Sequence, residues 1–279
     1  MSPPRALETA ARAKLNLALQ VGPIREDGYH PLESLMVELS DPHDRLTITR
    51  SEERRVVCPG VPEQDNLAWS ALDALERATG RPLPVNVEIA KEIPSGAGLG
   101  GGSSDAAAVL RATRRIYALD LSDADLEAIA SAVGSDVPFF IRGGAQWARG
   151  RGETLRPAPF PRFHAVICFR GPALATPSVY ARFDAMGSPD AQPLPAPPWD
   201  DPAELAGWAR NDLWPAARDL RPDLADLAVE LERAGAAGVL LCGSGAAMCG
   251  LFADETSARR ARDAMSPAAA VWLAGPARG

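Results

Sequence analysis

Pro94-Ser95-Gly96-Ala97-Gly98-Leu99-Gly100-Gly101-Gly102-Ser103-Ser104-Asp105-Ala106-Ala107-Ala108 decides how the rest of the chain is read. Five glycines fall within seven positions, two serines follow, and a run of alanines begins. Glycine admits positive φ and lets other groups approach the backbone closely. Serine is a good N-cap, and alanine is the strongest helix former. The stretch reads as a flexible loop that feeds a helix over about 104–117, with a serine at the cap. Loop amides and the positive end of the helix dipole then converge on one spot, which suits a phosphate.

Composition sets the class. The chain has 279 residues, 46% of them hydrophobic, and a net charge of −7. That length holds one large domain or two ordinary ones. No stretch gathers five lysines or arginines, so no nucleic-acid surface is expected. Cys58, Cys168, Cys242 and Cys249 are scattered without a C-x-x-C pair, and no signal peptide is recognised. Both features point to the cytoplasm. No apolar run approaches the ~20 residues of a membrane span.

Periodicity supplies the elements around the loop. Residues 11–21 alternate with a period near two, as in a strand. Leu15, Leu17, Leu19 and Val21 fall on one face, and Lys14, Asn16 and Ala18 on the other. Residues 25–31 are turn-rich. Residues 32–39 and 45–49 read as two further strands. Asp65-Asn66 opens a helix over 67–78, which Gly80-Arg81-Pro82 ends. A strand at 85–89 runs into the glycine loop, and 122–133 is a capped helix. Residues 139–141 and 145–148 read as short strands. The character changes near Pro157-Ala158-Pro159, which places a domain boundary between 157 and 158, giving domains 1–157 and 158–279. Beyond it come a strand at 164–169, a six-proline loop at 186–202, a helix at 223–233 and a strand at 238–241. A tight Gly243-Ser244-Gly245 turn follows, then a strand at 247–252, a helix at 255–265 and a strand at 270–273. That order suggests an α+β sandwich of ferredoxin-like type.

Three phosphate loops compete for the glycines. A Walker loop needs a lysine after them, and none is present. Gly96, Gly98 and Gly101 satisfy the spacing of a dinucleotide fingerprint, but Pro94 and the serine pair are then unexplained. A dinucleotide-binding oxidoreductase is therefore the reading from another class, and NADH titration would expose it. The third reading explains more. Pro-x-x-x-Gly-Leu-Gly followed by Ser-Ser resembles the signature of the GHMP kinases.

Further segments narrow the resemblance to one branch, the 4-diphosphocytidyl-2-C-methyl-D-erythritol kinases. Ala13-Lys14-Leu15-Asn16-Leu17 is similar to their N-terminal motif, and Asp27-Gly28-Tyr29-His30 matches another. Gly98 to Ala107 matches their long form of the loop, and Gly134 to Phe140 resembles their Gly-Ala-Asp-Val-Pro-Phe-Phe. Asn211-Asp212-Leu213 and Gly243-Ser244-Gly245 are similar to their C-terminal motifs. Arg12 stands where proline is usual, and Ala246 to Met248 replaces a stretch that often carries cysteine. The resemblance implies an α+β, two-domain GHMP kinase fold. Its N-terminal domain is ribosomal-protein-S5-domain-2-like, and its C-terminal domain is a ferredoxin-like α/β sandwich.

It also implies an activity: ATP-dependent phosphorylation of the 2-hydroxyl of CDP-methylerythritol on the non-mevalonate route to isoprenoid precursors. A homoserine or mevalonate kinase of the same class would need no base-reading motif. Asp136 is the catalytic candidate, although locally it is also a turn residue before Val-Pro. Lys14 is its partner cation, or else a strand lysine reaching for solvent. Pro94, Ser95, Gly96, Ala97, Gly98, Leu99, Gly100, Gly101, Gly102, Ser103 and Ser104 wrap the triphosphate. Ser103 or Ser104 caps the helix or contacts phosphate or magnesium. Asn66 and Lys91 are candidates for the adenosine end, with a helix cap and a solvated charge as their alternatives. Asn16, Tyr29, His30, Thr176 and Tyr180 are the substrate candidates, the aromatics stacking on cytosine. No acidic Mg²⁺ ligand stands out beyond Asp136 and Asp105, which implies an ion held by phosphate and water. The partner is a small molecule, with neither nucleic acid nor membrane, and the protein is expected as a monomer or homodimer.

Overall fold

The alternation at 11–21 belongs to a longer strand. A computed structural model of the protein describes residues 3–187 and 194–277. In it β1 (Ala6–Val21) and β2 (Leu32–Arg50) are neighbours in one sheet. The two strands expected at 32–39 and 45–49 are one, because Asp41-Pro42 does not interrupt β2. The strand changes partner there instead. Residues 32–37 pair with β5 (Ala145–Gly150), and Leu39 bridges Pro276. Residues 45–50 pair with β4 (Val85–Ala90). Proline has no N–H to give a ladder, so it fits where the partner changes.

Contacts divide the chain into two units that are discontinuous in sequence. The first holds residues 1–13, 42–93 and 100–143, and the second holds 14–41, 94–99 and 144–279. In the first, β3 (Arg55–Val57) runs parallel to β4, and β4 is antiparallel to β2. Helices α1 (Leu67–Thr79), α2 (Gly101–Ile116), α3 (Asp123–Ser131) and α4 (Val137–Arg142) belong to the same unit. Ile48, Val87 and Ile89 from the strands pack with Leu72 of α1 and with Ala108, Val109 and Ala112 of α2. Small residues on α2 let α1 lie close against it. Asn66 caps α1 by accepting from the Ala68 amide, and Ser122 caps α3 in a capping box with Asp125.

Residues 139–141 are not a strand. They lie in α4, whose N-cap is Asp136 and whose first turn holds Pro138. A three-residue apolar run carries no period of its own, so the local proline sets its state.

In the second unit, β5 pairs with β6 (Thr154–Pro157), and β8 (Arg210–Asn211) adds parallel to β1 at Ala18–Leu19. A separate antiparallel sheet has the order β11-β7-β10-β9, formed by β7 (His164–Phe169), β9 (Gly238–Leu241), β10 (Met248–Phe252) and β11 (Ala270–Ala274). With α8 (Asp223–Arg233) and α9 (Glu255–Ala264) between them, these strands give the expected ferredoxin-like order. Among the described residues between β7 and α8 lie three further helices that periodicity did not reveal, α5 (Thr176–Ala185), α6 (Pro202–Trp208) and α7 (Trp214–Leu220). The loop expected at 186–202 is irregular at 186–187 and 194–201 and ends at Pro202, the first residue of α6, and residues 188–193 of it lie outside the described residues. Val166, Cys168, Leu227, Leu231, Met248 and Phe252 centre the second core. All four cysteines are free thiols and buried. Among the described residues, no helix is long and apolar enough to cross a membrane.

Leu72 is fully buried in the first core. Leu72→Ala is expected to destabilise the chain by about 2–5 kcal/mol. Urea unfolding should show a lower midpoint with an unchanged slope.

Candidate active site

The glycine loop leaves β4 and returns as α2. Gly96, Gly98 and Gly100 all have positive φ, at 67°, 80° and 73°. The helix begins at Gly101, three residues before the expected Ser104, with Gly100 as its N-cap. The serines therefore lie inside the first turn and cap nothing. No side chain caps this end, although the first amides of a helix have no partner within it. Those donors and the dipole together favour an anion. Burial separates the two serines that the sequence left equal: Ser104 is 2% exposed, and Ser103 is half-buried.

Two main-chain bonds fasten the first part of the loop. The Lys14 amide donates to the Leu99 carbonyl at 2.9 Å, and the Ala247 amide donates to the Ala97 carbonyl at 3.0 Å. Between them Gly98 sits against the 243–245 turn. A Cβ on Gly98 would lie 1.8 Å from the Cys242 carbonyl oxygen and 2.9 Å from the Gly245 nitrogen. A Cβ on Gly243 would lie 2.7 Å from the Gly98 oxygen and 3.0 Å from Lys14 Nζ. Asn211 holds the turn in turn: its Nδ2 donates to the carbonyls of Leu241 and Gly243, and its Oδ1 accepts from the Leu213 amide.

Lys14 is 5% exposed, so its ammonium needs polar company. It donates to Asn16 Oδ1 at 2.6 Å. Asn16 Nδ2 donates to Ser34 Oγ at 2.8 Å, and that hydroxyl donates to the Ala18 carbonyl at 2.6 Å. The shared strand face read from the alternation is thus a connected polar row. Asp136 is half-buried at the start of α4, in the first unit.

The other candidates of the first unit are engaged structurally. The Asn66 side chain is the α1 cap. The Lys91 ammonium is not a solvated charge: it donates to Asp44 and to Asp105, the latter at 2.8 Å. Asp44 also accepts from the amides of Glu92 and Ile93. Asp105 is thereby tied to an ammonium rather than held open for a metal. Two buried carboxylates share one partly exposed ammonium, which leaves an excess of negative charge in a poorly solvated place. Burial pushes the Asp105 carboxyl up to about 7, and Asp44 adds to this against the pull of Lys91. Burial opposes the charge on Lys91, but Asp105 and Asp44 outweigh it and hold the ammonium above its ordinary range. Among the described residues, no three His, Cys, Asp or Glu side chains cluster to hold a metal.

The substrate candidates lie in the second unit. Gly28, at φ 78°, closes a turn in which the Tyr29 amide donates to Asp27 Oδ1 and the Arg25 amide donates to the Tyr29 carbonyl. Tyr29 is 51% exposed, with the Arg151 guanidinium 4.5 Å from its ring centre. His30 lies beside Tyr180, with ring centres 5.0 Å apart. The Thr176 and Ser244 hydroxyls share a hydrogen bond of 2.7 Å. Sequence reasoning did not single out Ser244 or Asn211 as site residues. The motifs at 211–213 and 243–245 were the signal that could have found them.

Residues 66–144 match the N-terminal domain of the GHMP kinases, and residues 196–270 match their C-terminal domain. Kinases of this class use ATP. A 4-diphosphocytidyl-2-C-methyl-D-erythritol kinase of Anaeromyxobacter sp. (strain Fw109-5) is 44% identical over 264 residues, spanning 91% of this chain and 85% of the relative. The crystal structure of a 4-(cytidine 5'-diphospho)-2C-methyl-D-erythritol kinase superposes with a TM-score of 0.83 at 36% identity, covering 98% of this chain and all of the other. A homoserine kinase from Cytophaga hutchinsonii shares the fold alone, with a TM-score of 0.75 at 16% identity over 99% of this chain and 96% of its own. The chain belongs to the 4-diphosphocytidyl-2-C-methyl-D-erythritol kinase family.

Two outcomes follow from the geometry. Gly98→Ala forces a methyl onto the Cys242 carbonyl, in addition to the ~1–2 kcal/mol of a left-handed alanine. Calorimetric titration should show ATP affinity reduced at least about ten-fold, with a lower melting temperature. Folding also favours the protonated Asp105 carboxyl. Its contribution is full below the ordinary value of 3.8 and is lost as pH rises through about 7. The stability of the native chain relative to Asp105→Asn should therefore fall between about pH 4 and pH 7 and level off above, as read from urea midpoints.

Proposed function

We propose that the protein transfers the γ-phosphoryl group of ATP to the 2-hydroxyl of 4-diphosphocytidyl-2-C-methyl-D-erythritol, a step on the non-mevalonate route to isoprenoid precursors. The observation that carries this reading is the glycine loop ending on a helix that no side chain caps. Such a loop receives phosphate, and the family membership says whose phosphate it is. Phosphoryl transfer asks for positioning and charge neutralisation more than for covalent chemistry. Residues Pro94 to Ser104 wrap the triphosphate, and Ser103 is the serine of the pair with access to it.

Asp136 accepts the hydrogen bond of the attacking hydroxyl and takes its proton as the new P–O bond forms and ADP departs. Lys14 supplies the positive charge of the step, and Asn16 holds it in place. Tyr29 and Tyr180 stack on the cytosine, His30 reads its edge, and Thr176 completes the substrate side. Asn66, the α1 cap, and Lys91, paired with Asp44 and Asp105, belong to the adenosine end. Mg²⁺ fits the hydroxyl of Ser103 and the oxygens of the phosphates and water better than any carboxylate cage. When bound, it offsets charge on the phosphates.

The working division is residues 1–157 for ATP and 158–279 for the C-terminal domain. The two family matches, 66–144 and 196–270, fall on either side of it. The four buried free thiols support a cytoplasmic enzyme, acting as a monomer or homodimer on a small molecule.

Asp136→Asn should lower turnover by about 100-fold or more, while ATP affinity stays near that of the native chain. A coupled ADP-release assay with CDP-methylerythritol as acceptor decides it. Native-like turnover in the variant would remove Asp136 from the role. No ADP release from the native chain with this acceptor would overturn the substrate.

A further inference from the structure

His30 is held by one helix. Its side chain is 8% exposed, and its Nε2 lies 2.7 Å from Asp184 Oδ1. Tyr180 and Phe183 complete the setting, with ring centres 5.0 Å and 6.1 Å from the imidazole. Tyr180, Phe183 and Asp184 all belong to α5. The aromatic neighbours fix where the ring lies. Asp184 fixes something else, namely which nitrogen carries the proton.

A carboxylate has no proton to donate, so Nε2–H donates to it. In the neutral ring the remaining nitrogen, Nδ1, is then bare and can only accept. Pyrimidines differ at the corresponding edge. Cytosine presents an amino group at position 4, which donates, whereas a 4-oxo pyrimidine presents an acceptor. A bare Nδ1 suits the amino group and leaves the 4-oxo group facing a second acceptor.

We propose that Asp184 is a positioning residue that holds His30 in the Nε2–H tautomer and so selects a 4-amino pyrimidine nucleotide over a 4-oxo one. The inference rests on the proposed function, in which His30 reads the base. It adds the group that sets what His30 can read. Asp184 touches neither substrate nor phosphate in this role.

The test compares CDP with UDP, by calorimetric affinity and as the diphosphate of the methylerythritol acceptor in the ADP-release assay. The native chain should prefer the cytidine compound. Asp184→Asn places an amide beside Nε2, which can donate or accept, so either tautomer becomes available. The ratio of cytidine to uridine kcat/KM should then fall about ten-fold or more. Asp184→Glu keeps a carboxylate on a longer arm, and should recover part of the ratio. A merely structural Asp184 would weaken both nucleotides together. An unchanged ratio in Asp184→Asn, with the native preference intact, therefore overturns this proposal and leaves the kinase reading standing. A native chain that binds UDP as tightly as CDP overturns the proposal together with the cytidine reading. Should Asp184→Asn fail to fold, a ratio in Asp184→Glu no closer to native than that of Asp184→Ala also overturns it.

Discussion

The seat of Gly98 on the 243–245 turn is the contact on which the rest of the second unit's site depends. Hydrogen at Cα is all that fits between that backbone and the Cys242 carbonyl. On one side the Lys14 amide fastens Leu99, and on the other the Ala247 amide fastens Ala97. Lys14 is therefore tied to the loop by its main chain before its ammonium does anything. The same turn leaves room for that ammonium only because residue 243 is glycine. Asn211 stands behind it, with its side-chain hydrogen bonds directed at main chain. Segments from residues 14, 98, 211 and 243 thus converge on one backbone arrangement, and side chains contribute mainly by being absent.

The first unit solves a different problem. Asp44, Lys91 and Asp105 bring charge into its interior, which costs free energy unless each group is paired. The pairing ties the end of β4, where Asp44 also holds two amides, to the first helical turn after the loop. The chain on both sides of the glycines is anchored in this way while the glycines themselves stay free of side chains. Paired charges fix the flanks and main-chain bonds fix residues 97–99, so the loop is preorganised for a polyanion.

Much of this was legible in the sequence, and the gaps have physical causes. Alternation placed Lys14 and Asn16 on one face because a strand has a period of two whatever surrounds it. The ferredoxin-like order of the second sheet followed from the sequence of strands and helices. Phe139 to Ile141 was misread because three apolar residues fit either period. The start of α2 was misplaced because serine is the better cap in general, whereas here Gly100 is the N-cap and both serines lie inside the first turn. Lys91 reads as an ordinary surface charge until Asp44 and Asp105, 47 and 14 positions away, are folded against it. The Asp184–His30 pair spans 154 positions, a separation at which local pattern carries no information.

Four thiols lie in the interior, Cys58 in the first unit and Cys168, Cys242 and Cys249 in the second. Burial raises all of them, Cys168 and Cys242 to about 12. A thiol that is both hidden and protonated is chemically silent. Each unit thus carries its own latent label, dark while the fold is closed and reactive once it opens. The protein holds an internal record of which half comes apart first, and a thiol-specific reagent followed by peptide mapping would read it residue by residue.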